Sequence, residues 1–259
     1  MVPTERLPWL LAQRWDDLLF AHWPADLLEL RRCLPQGVEP DAHEGQAWLG
    51  IVAFRMLDTR PAPAPARPTL RPIPELNVRT YVRVGGVPAV WFLSLDASSP
   101  FFVAAGRALY GLPYRLARMA TVNEGSRVHY LSSRGDASFA ASYEPCSRPR
   151  RAVPGSLEHF LVERYRLFSL RRGRLVTAVV EHEPWDLQPA RAQIEVNRMA
   201  PRGLSFSGEP ILHFSASVAA RISVPQPVSA LESEKWWPRP AYARQSSARR
   251  SRRTVPQRA

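Results

Sequence analysis

Residues 75–84 alternate polar and apolar side chains, and they contain the first group that could act together on a small molecule. A period of two places Glu75, Asn77 and Arg79 on one face of a predicted strand. If this face lines the inside of a barrel, Glu75 and Arg79 would flank a ligand. If it faces water, the same residues form an ordinary solvated strand face. The alternation by itself leaves both interpretations open.

The scarcity of lysine excludes several kinds of chemistry. Thirty-five residues are Lys or Arg, and Lys235 is the only lysine. A Schiff-base enzyme needs a lysine amine in a desolvated pocket, and arginine cannot replace it because its guanidinium stays protonated and is not nucleophilic. The sequence also lacks the Gly-Lys-Ser/Thr of a Walker phosphate loop and the Gly-x-Ser-x-Gly of an α/β-hydrolase.

The histidines and cysteines do not indicate a metal site. The six histidines include no His-x-His or His-Glu-x-x-His, and Cys33 and Cys146 are far apart. We therefore expect neither a metal ion nor a cofactor. The spacing of the two cysteines is not that of a metal site, and we expect both thiols to be reduced.

Length and composition allow one large globular domain or two small ones, followed by a basic tail. The chain has 259 residues, of which 45% are hydrophobic, and it contains no apolar run long enough to span a membrane. We predict a single domain over residues 1–230 and a disordered tail over residues 231–259, where half of the net charge of +12 lies. The N-terminus is not typical of a signal peptide, so we predict a cytoplasmic protein.

Turn signals predict mainly antiparallel strands. Gly85-Gly86 separates two apolar-rich runs in the first predicted hairpin. Two more hairpins are predicted over residues 127–143 and 164–181, and a further strand or strand pair over residues 211–224. The proline-rich residues 61–74 predict an extended loop. Such a pattern favours a closed barrel or a strongly curved sheet.

Capping signals predict a few helices between the strands. Ser99 and Ser156 are predicted N-caps of two of them. A third helix is predicted over residues 26–34, with Leu27, Leu28 and Leu30 facing inward, and residues 8–19 are predicted as a short helix or turn.

Eight short motifs then occur in a fixed order. They are DLLFAHWP at residues 17–24, LP-x-G at 34–37, PELNVRTYV at 74–82, WF-x-SLD at 91–96, PGSLEHFL at 154–161, ERY at 163–165, PW-x-LQPA at 184–190 and EVN at 195–197. In this order the chain resembles the YqjF-like family of uncharacterised bacterial proteins, over roughly residues 15–225.

That family is similar in fold to acetoacetate decarboxylase. The resemblance therefore implies a mainly antiparallel α+β fold: a closed, cone-shaped β-barrel with a central pocket and a few peripheral helices. In the decarboxylases, a Gly-Arg-x-Leu helix precedes Pro-Lys-Lys, whose first lysine forms the Schiff base. Here Gly106-Arg107-Ala108-Leu109 precedes Pro113-Tyr114-Arg115. The resemblance places Tyr114 at the nucleophile and Arg115 at the second lysine.

The two pocket glutamates of the decarboxylases differ in this chain. Glu75 falls near one of them, and Gly50 stands where the other would be. A tyrosine cannot form the imine, so the resemblance implies the decarboxylase scaffold without its nucleophile.

Three functions remain open at this point. The first is binding of a small polar or carboxylate-bearing molecule in the barrel pocket, with Arg115, Asn77 and Arg79 as ligand-binding residues. The second is an enzyme with a lyase-like or hydrolase-like activity on a small organic acid, without a Schiff base, in which Tyr114 and Glu75 are catalytic. The third is binding of nucleic acid or an anionic surface through the Arg-rich tail. For partners we expect the small ligand and a further copy of the chain, in a homo-oligomer.

Overall fold

The computed structural model describes residues 8–65 and 71–228. The predicted tail over residues 231–259 lies outside the described residues, so the division into a domain and a disordered tail stays a prediction. No helix in the two described ranges is long and apolar enough to cross a membrane.

Within these ranges the chain forms fourteen strands and three helices. The strands are β1 (Trp9–Ala25), β2 (Glu39–Pro40), β3 (Ala47–Pro61), β4 (Ile73–Val84), β5 (Val87–Ala97), β6 (Tyr114–Leu116), β7 (Arg118–Glu124), β8 (Arg127–Arg134), β9 (Ala137–Pro145), β10 (Arg166–Arg171), β11 (Arg174–His182), β12 (Gln188–Asn197), β13 (Ile211–Ser223) and β14 (Gln226–Pro227). The helices are α1 (Leu27–Cys33), α2 (Pro100–Tyr110) and α3 (Leu157–Val162).

Seven strands form a closed ring. Their order is β1, β3, β4, β5, β10, β11 and β13, and the pairing of β13 with β1 closes the ring. Neighbouring strands are antiparallel except for β5 and β10, which are parallel. The predicted architecture, mainly antiparallel strands with few helices, is confirmed.

A second sheet covers one side of the ring. Its four antiparallel strands follow the order β12, β9, β8 and β7, and β12 joins the ring through two residue pairs with β13. Leu19, Ile51 and Val78 on the outer face of the ring pack with Val128 and Tyr130 of the second sheet in one hydrophobic core. The alternate residues of β1, β3 and β4 therefore face the interior of the ring.

The interior of the ring contains its own packed core. Leu95, Leu167, Ala178 and Ile222 come from four different ring strands and pack together. Tyr114 belongs to the same core, together with residues of α2. Helix α2 and strand β6 thus close part of the ring interior.

The N-terminal segment differs from its sequence prediction. Residues 8–19 do not form a short helix or turn, because β1 runs from Trp9 to Ala25. Asp17 has a φ of 56°, and the register of β1 against β3 shifts between Asp16 and Leu19. This bulge interrupts the period of two, which is the pattern that identifies a strand in a sequence.

The three helices are confirmed, with one change in the first. The Asp26 side chain accepts hydrogen bonds from the backbone N–H groups of Leu28 and Glu29, as an N-cap does. Leu30 is buried, whereas Leu27 is 42% and Leu28 is 68% exposed, so the prediction that all three face inward is wrong for the first two. A helix of two turns has room for only a narrow buried stripe.

Strands occupy both ends of the proline-rich segment that is predicted as a loop over residues 61–74. Strand β3 continues to Pro61, and β4 begins at Ile73, with Pro74 opposite Arg55. Proline is tolerated near the start of a strand, where it removes few ladder hydrogen bonds.

Candidate functional site

Glu75 and Tyr114 form a buried hydrogen-bonded pair inside the ring. The Tyr114 hydroxyl donates to Glu75 Oε2 over 2.6 Å, and the two residues are only 5% and 4% exposed. They lie on β4 and β6 and are brought together by the fold, since 39 positions separate them in the sequence. The two predicted catalytic side chains are therefore in direct contact.

Helix α2 sets the position of the Tyr114 ring. A Cβ atom on Gly106 would lie 2.5 Å from both Cδ2 and Cε2 of Tyr114, so the ring packs directly against the backbone of the helix. Phe102, one turn earlier, meets the ring edge-on, with 5.6 Å between centroids and 84° between planes. Arg107 Nε donates to the Tyr114 carbonyl over 2.8 Å. A glycine at position 106 is required for this approach.

Glu75 is fixed at its backbone and at its carboxyl group. Its carbonyl accepts a 2.7 Å hydrogen bond from the Tyr130 hydroxyl of the second sheet. Its carboxyl group is hydrogen-bonded by the side chain of Asn77 as well as by Tyr114. Asn77 Oδ1 is buried with no hydrogen-bond partner among the described residues, so the amide nitrogen is the group that donates to Glu75. An amide oxygen is thereby left as an acceptor inside the ring.

The surroundings of the pair change the protonation of Glu75. Burial raises the pKa of Glu75 to about 7, against the opposing hydrogen bonds from Tyr114 and Asn77. Burial, together with the neighbouring Glu75, raises the pKa of Tyr114 well above its ordinary value. At neutral pH, Glu75 therefore exchanges between its two protonation states while Tyr114 remains a neutral hydrogen-bond donor.

Asp96 adds a second buried carboxylate close to Glu75. Ser132 Oγ donates to Asp96 Oδ2 over 3.0 Å, and Arg134 Nε donates to Oδ1. Asp96 is completely buried, and its negative charge contributes to the raised pKa of Glu75. The ion pair with Arg134 compensates the negative charge of Asp96. Glu75 has no such cationic partner among the described residues.

Arg79 is a buried cation on the same strand face as Glu75 and Asn77. One guanidinium nitrogen donates to the Leu161 carbonyl over 3.4 Å, and Nε has no partner among the described residues. The guanidinium lies 5.6 Å from the ring centroid of Phe20 and 5.8 Å from that of Tyr81. Within residues 8–65 and 71–228, no carboxylate forms an ion pair with it. A buried cation without a counter-ion favours the binding of an anion.

His22 and Tyr81 lie beside Arg79. The Tyr81 hydroxyl donates to the Leu161 carbonyl over 2.6 Å and is 2.7 Å from His22 Nε2. The Tyr81 hydroxyl donates its only proton to the Leu161 carbonyl, so its oxygen accepts from His22. The proton of the neutral His22 ring is therefore on Nε2. Burial and the charge of Arg79 hold the pKa of His22 well below its ordinary value, so the ring is neutral. Its Nδ1 atom is a buried acceptor with no partner among the described residues.

Arg115 is not part of this group. It follows Tyr114 on β6, and it is exposed where Tyr114 is buried. Consecutive strand residues point to opposite faces, so the inward position of Tyr114 requires Arg115 to point outward. The structure brings together the predicted residues Glu75, Asn77 and Tyr114, with Arg79 further along the same face, and leaves Arg115 at the surface.

Three further residues of this region were not predicted as site residues. Tyr81 continues the period-two face of Glu75, Asn77 and Arg79, so the alternation alone could have included it. His22 and Asp96 lie within the family motifs at residues 17–24 and 91–96, but single-sequence periodicity gives no reason to choose them.

No group of three or more His, Cys, Asp or Glu side chains suited to a metal ion occurs in the described part of the chain. The site described above combines the carboxyl group of Glu75, the phenols of Tyr114 and Tyr81, the amide of Asn77, the imidazole of His22 and the guanidinium of Arg79. This set can bind a small anion through hydrogen bonds and can move a proton.

Comparison with known families agrees with the resemblance seen in the sequence. Residues 12–219 match the DUF2071 family, described as uncharacterized conserved protein (COG2071). The chain is 39% identical over 212 residues to the uncharacterized protein YqjF of Bacillus subtilis (strain 168), an alignment that covers 80% of this chain and 88% of that protein.

Solved structures of the same fold are more distant in sequence. Acetoacetate decarboxylase from Legionella pneumophila has a TM-score of 0.61 at 15% identity, covering 88% of this chain and 90% of its own. The enduracididine biosynthesis enzyme MppR, complexed with pyruvate, has a TM-score of 0.60 at 14% identity, covering 86% of this chain and 92% of its own. The predicted acetoacetate decarboxylase-like fold is confirmed by these similarities.

Proposed function

We propose that this chain, which belongs to the DUF2071 family, binds a small carboxylate-bearing organic molecule inside its seven-stranded ring and exchanges a proton with it through Glu75. The observation that carries this proposal is the buried 2.6 Å hydrogen bond from Tyr114 to Glu75. Burial raises the pKa of that carboxyl group to about 7. An acid or base works best when its pKa is close to the surrounding pH, because both forms are then available.

The charge of Arg79 supports a carboxylate as the bound group. Its guanidinium is buried without an ion pair among the described residues, and a planar guanidinium can hold a carboxylate through two parallel hydrogen bonds. Asn77 and Glu75 lie on the same strand face, so a ligand held by Arg79 would extend towards them. MppR, which has a similar fold, is complexed with pyruvate, so small keto acids are the first ligands to test.

The proposed chemistry is proton transfer without an imine. Tyr114 offers a hydroxyl rather than an amine at the position of the decarboxylase nucleophile, and a hydroxyl cannot form a Schiff base. In the simplest step, ionised Glu75 takes a proton from the carbon next to the carbonyl of the bound keto acid. The electron pair of the broken C–H bond moves onto the carbonyl oxygen and forms an enolate. Return of a proton from Glu75 restores the keto acid.

This step can be followed directly. Pyruvate is incubated with the protein in D2O, and loss of its methyl signal is measured by proton NMR. We expect exchange with the wild-type chain, its loss in Glu75→Gln, and weaker binding by calorimetry in Arg79→Met. The control is Glu144→Gln, which changes a carboxylate paired with Arg127 in the second sheet and should exchange normally.

Other keto acids and simple carboxylates are compared in the same two assays, calorimetry and exchange. If none of them binds, and none exchanges faster with the wild-type chain than with Glu75→Gln, the proposal is wrong. Binding of a carboxylate without exchange would leave a binding protein, in which Glu75 only positions the ligand.

Binding of nucleic acid or an anionic surface through residues 231–259 stays a prediction from the sequence, since those residues lie outside the described ranges. The same holds for the cytoplasmic location.

A further inference from the structure

Strand β7 forms an open edge of the second sheet. It pairs with β8 along its whole length, from Arg118 opposite Ser133 to Glu124 opposite Arg127, without a shift in register. It is the last strand in the order of the sheet, and no other described strand hydrogen-bonds to its second edge. The backbone N–H and C=O groups on that edge can therefore pair with another strand.

The usual protections of an edge strand are missing from β7. Natural edges are commonly blocked by proline, by a bulge, or by charges that repel a second strand. The sequence of β7 is RMATVNE, which contains no proline, and its pairing with β8 contains no bulge. Its two charged residues, Arg118 and Glu124, stand at opposite ends and carry opposite signs.

We propose that β7 pairs with β7 of a second copy of the chain, antiparallel and about a two-fold axis at Thr121. The four-stranded sheet of each copy would then continue into the other as one eight-stranded sheet. A two-fold axis makes the interface self-complementary, because each contact occurs twice.

The sequence of β7 is complementary to itself in this register. Arg118 lies opposite the partner's Glu124, and Glu124 lies opposite the partner's Arg118. Opposite charges directly across an antiparallel pair are stabilising. Within one copy, Glu124 lies 3.3 Å from His129 and is still 71% exposed, so it can reach an additional cation.

The residues between the charges also match. Thr121 lies opposite the partner's Thr121, and cross-strand threonine pairs are favourable. Ala120 lies opposite the partner's Val122 on the same face as the two charged pairs, which places a small side chain beside a larger one. Val122 is 56% exposed in a single copy, and this contact would cover it.

The outer face of the sheet beside β7 is apolar as well. Leu131 on β8 is 53% exposed, and a shallow depression of about 380 Å³ is lined by Ala120, Leu131, Ala140 and Val196, among others. Exposed apolar surface next to an open edge is typical of a contact with another protein chain. Pairing of β7 brings the two depressions to the same face of a continuous sheet.

Charge reversal tests the register. The mass of the full-length chain is measured by sedimentation equilibrium, and we expect a dimer, alone or as the unit of a larger even-numbered oligomer. Arg118→Glu places glutamate opposite glutamate at both ends of the pair, and Glu124→Arg places arginine opposite arginine. We expect either change to weaken dimerisation by at least about tenfold, because two like-charged pairs replace two opposite ones. The double variant restores opposite pairs, and we expect the dimer to return.

Rescue by the double variant separates this interface from a general effect of charge. Arg148→Glu removes an exposed arginine in the loop after β9 and serves as the control, with no expected change in mass. Circular dichroism confirms that each variant is folded. A monomeric wild-type chain, or an oligomer that all three variants leave intact, overturns the proposal. Loss of the dimer in both single variants without recovery in the double variant overturns the register.

Discussion

The His22 imidazole fills the space beside Gly50. A Cβ atom on Gly50 would lie 2.9 Å from His22 Cδ2 and 3.2 Å from Nε2. The ring cannot easily move away, since its Nε2 is 2.7 Å from the Tyr81 hydroxyl. The position at which the decarboxylase resemblance expects a second glutamate is therefore closed by a neutral histidine, and Glu75 is the carboxyl group that contacts Tyr114.

Gly50→Ala should destabilise the protein by about 1–3 kcal/mol, because the added methyl group overpacks a rigid core position. The measurement is the urea midpoint of unfolding. His22→Ala removes the ring that the methyl group meets, so the double variant should be more stable than the sum of the single effects predicts. Additive effects would show that His22 does not close this space.

Glu75 should make the protein less stable as the pH rises from about 4.5 to about 7. Its pKa is raised from 4.5 to about 7 in the folded chain, so the native state holds more protons than the unfolded state across this window. The free energy of unfolding then falls with pH, by an amount on the order of 3 kcal/mol, and is constant above the window.

The comparison of wild-type chain with Glu75→Gln isolates this effect. Glutamine cannot ionise, so the variant should gain stability relative to wild type between pH 5 and pH 8 in urea unfolding. Tyr114→Phe removes a hydrogen bond that opposes the rise in the folded-state pKa, so in this variant the loss of stability should continue to a higher pH than in wild type. Parallel stability curves for wild type and Glu75→Gln would contradict a raised pKa.

The sequence alone predicts the strand face that carries the site, but not how the site closes. The period of two at residues 75–84 identifies Glu75, Asn77 and Arg79 as neighbours on one face, because alternation is a local property of the backbone. The contact between Glu75 and Tyr114 spans 39 positions and depends on how α2 and β6 return to the ring, which no local pattern encodes. The family resemblance assigns both residues to the pocket, but it does not predict the hydrogen bond between them.

Two sequence predictions near the site differ from the structure or find no support in it, for different physical reasons. The bulge at Asp17 breaks the period of β1, so residues 8–19 do not show a strand pattern although they form one. The ligand-binding role of Arg115 rests on the decarboxylase resemblance and stays a prediction, whereas the alternation of β6 exposes Arg115 where Tyr114 is buried.

Arg79 and Arg164 should respond differently to replacement by methionine. Arg164 is paired with the buried Asp41 over 2.8 Å, so Arg164→Met leaves that carboxylate buried and less compensated, at a cost of about 3 kcal/mol. Arg79 has no such pair among the described residues, so Arg79→Met should leave stability unchanged or raise it by about 1 kcal/mol. The free energy of unfolding of each variant is measured in urea, without ligand. Equal destabilisation would mean that the charge of Arg79 is compensated within the protein.

Tyr114→Lys should place an amine where the resemblance puts the decarboxylase lysine, without creating a Schiff-base enzyme at neutral pH. Imine formation needs an unprotonated amine, which desolvation or a neighbouring cation provides by lowering the pKa of the lysine. Here the new ammonium group would lie against Glu75, and an opposite charge at hydrogen-bond distance stabilises the protonated form. Arg115, which could supply the opposing cation, is exposed.

The test traps any imine with borohydride in the presence of pyruvate and detects the added mass on the protein. We expect no labelling of Tyr114→Lys at pH 7, and labelling of Tyr114→Lys combined with Glu75→Gln, because the amine is then buried without its carboxylate and burial lowers its pKa. The wild-type chain is the control for labelling of Lys235, the one lysine of the sequence. If the single variant is labelled as strongly as the double variant, Glu75 does not hold the amine protonated. The absence of the lysine would then be the only difference that prevents decarboxylase-like imine formation at this site.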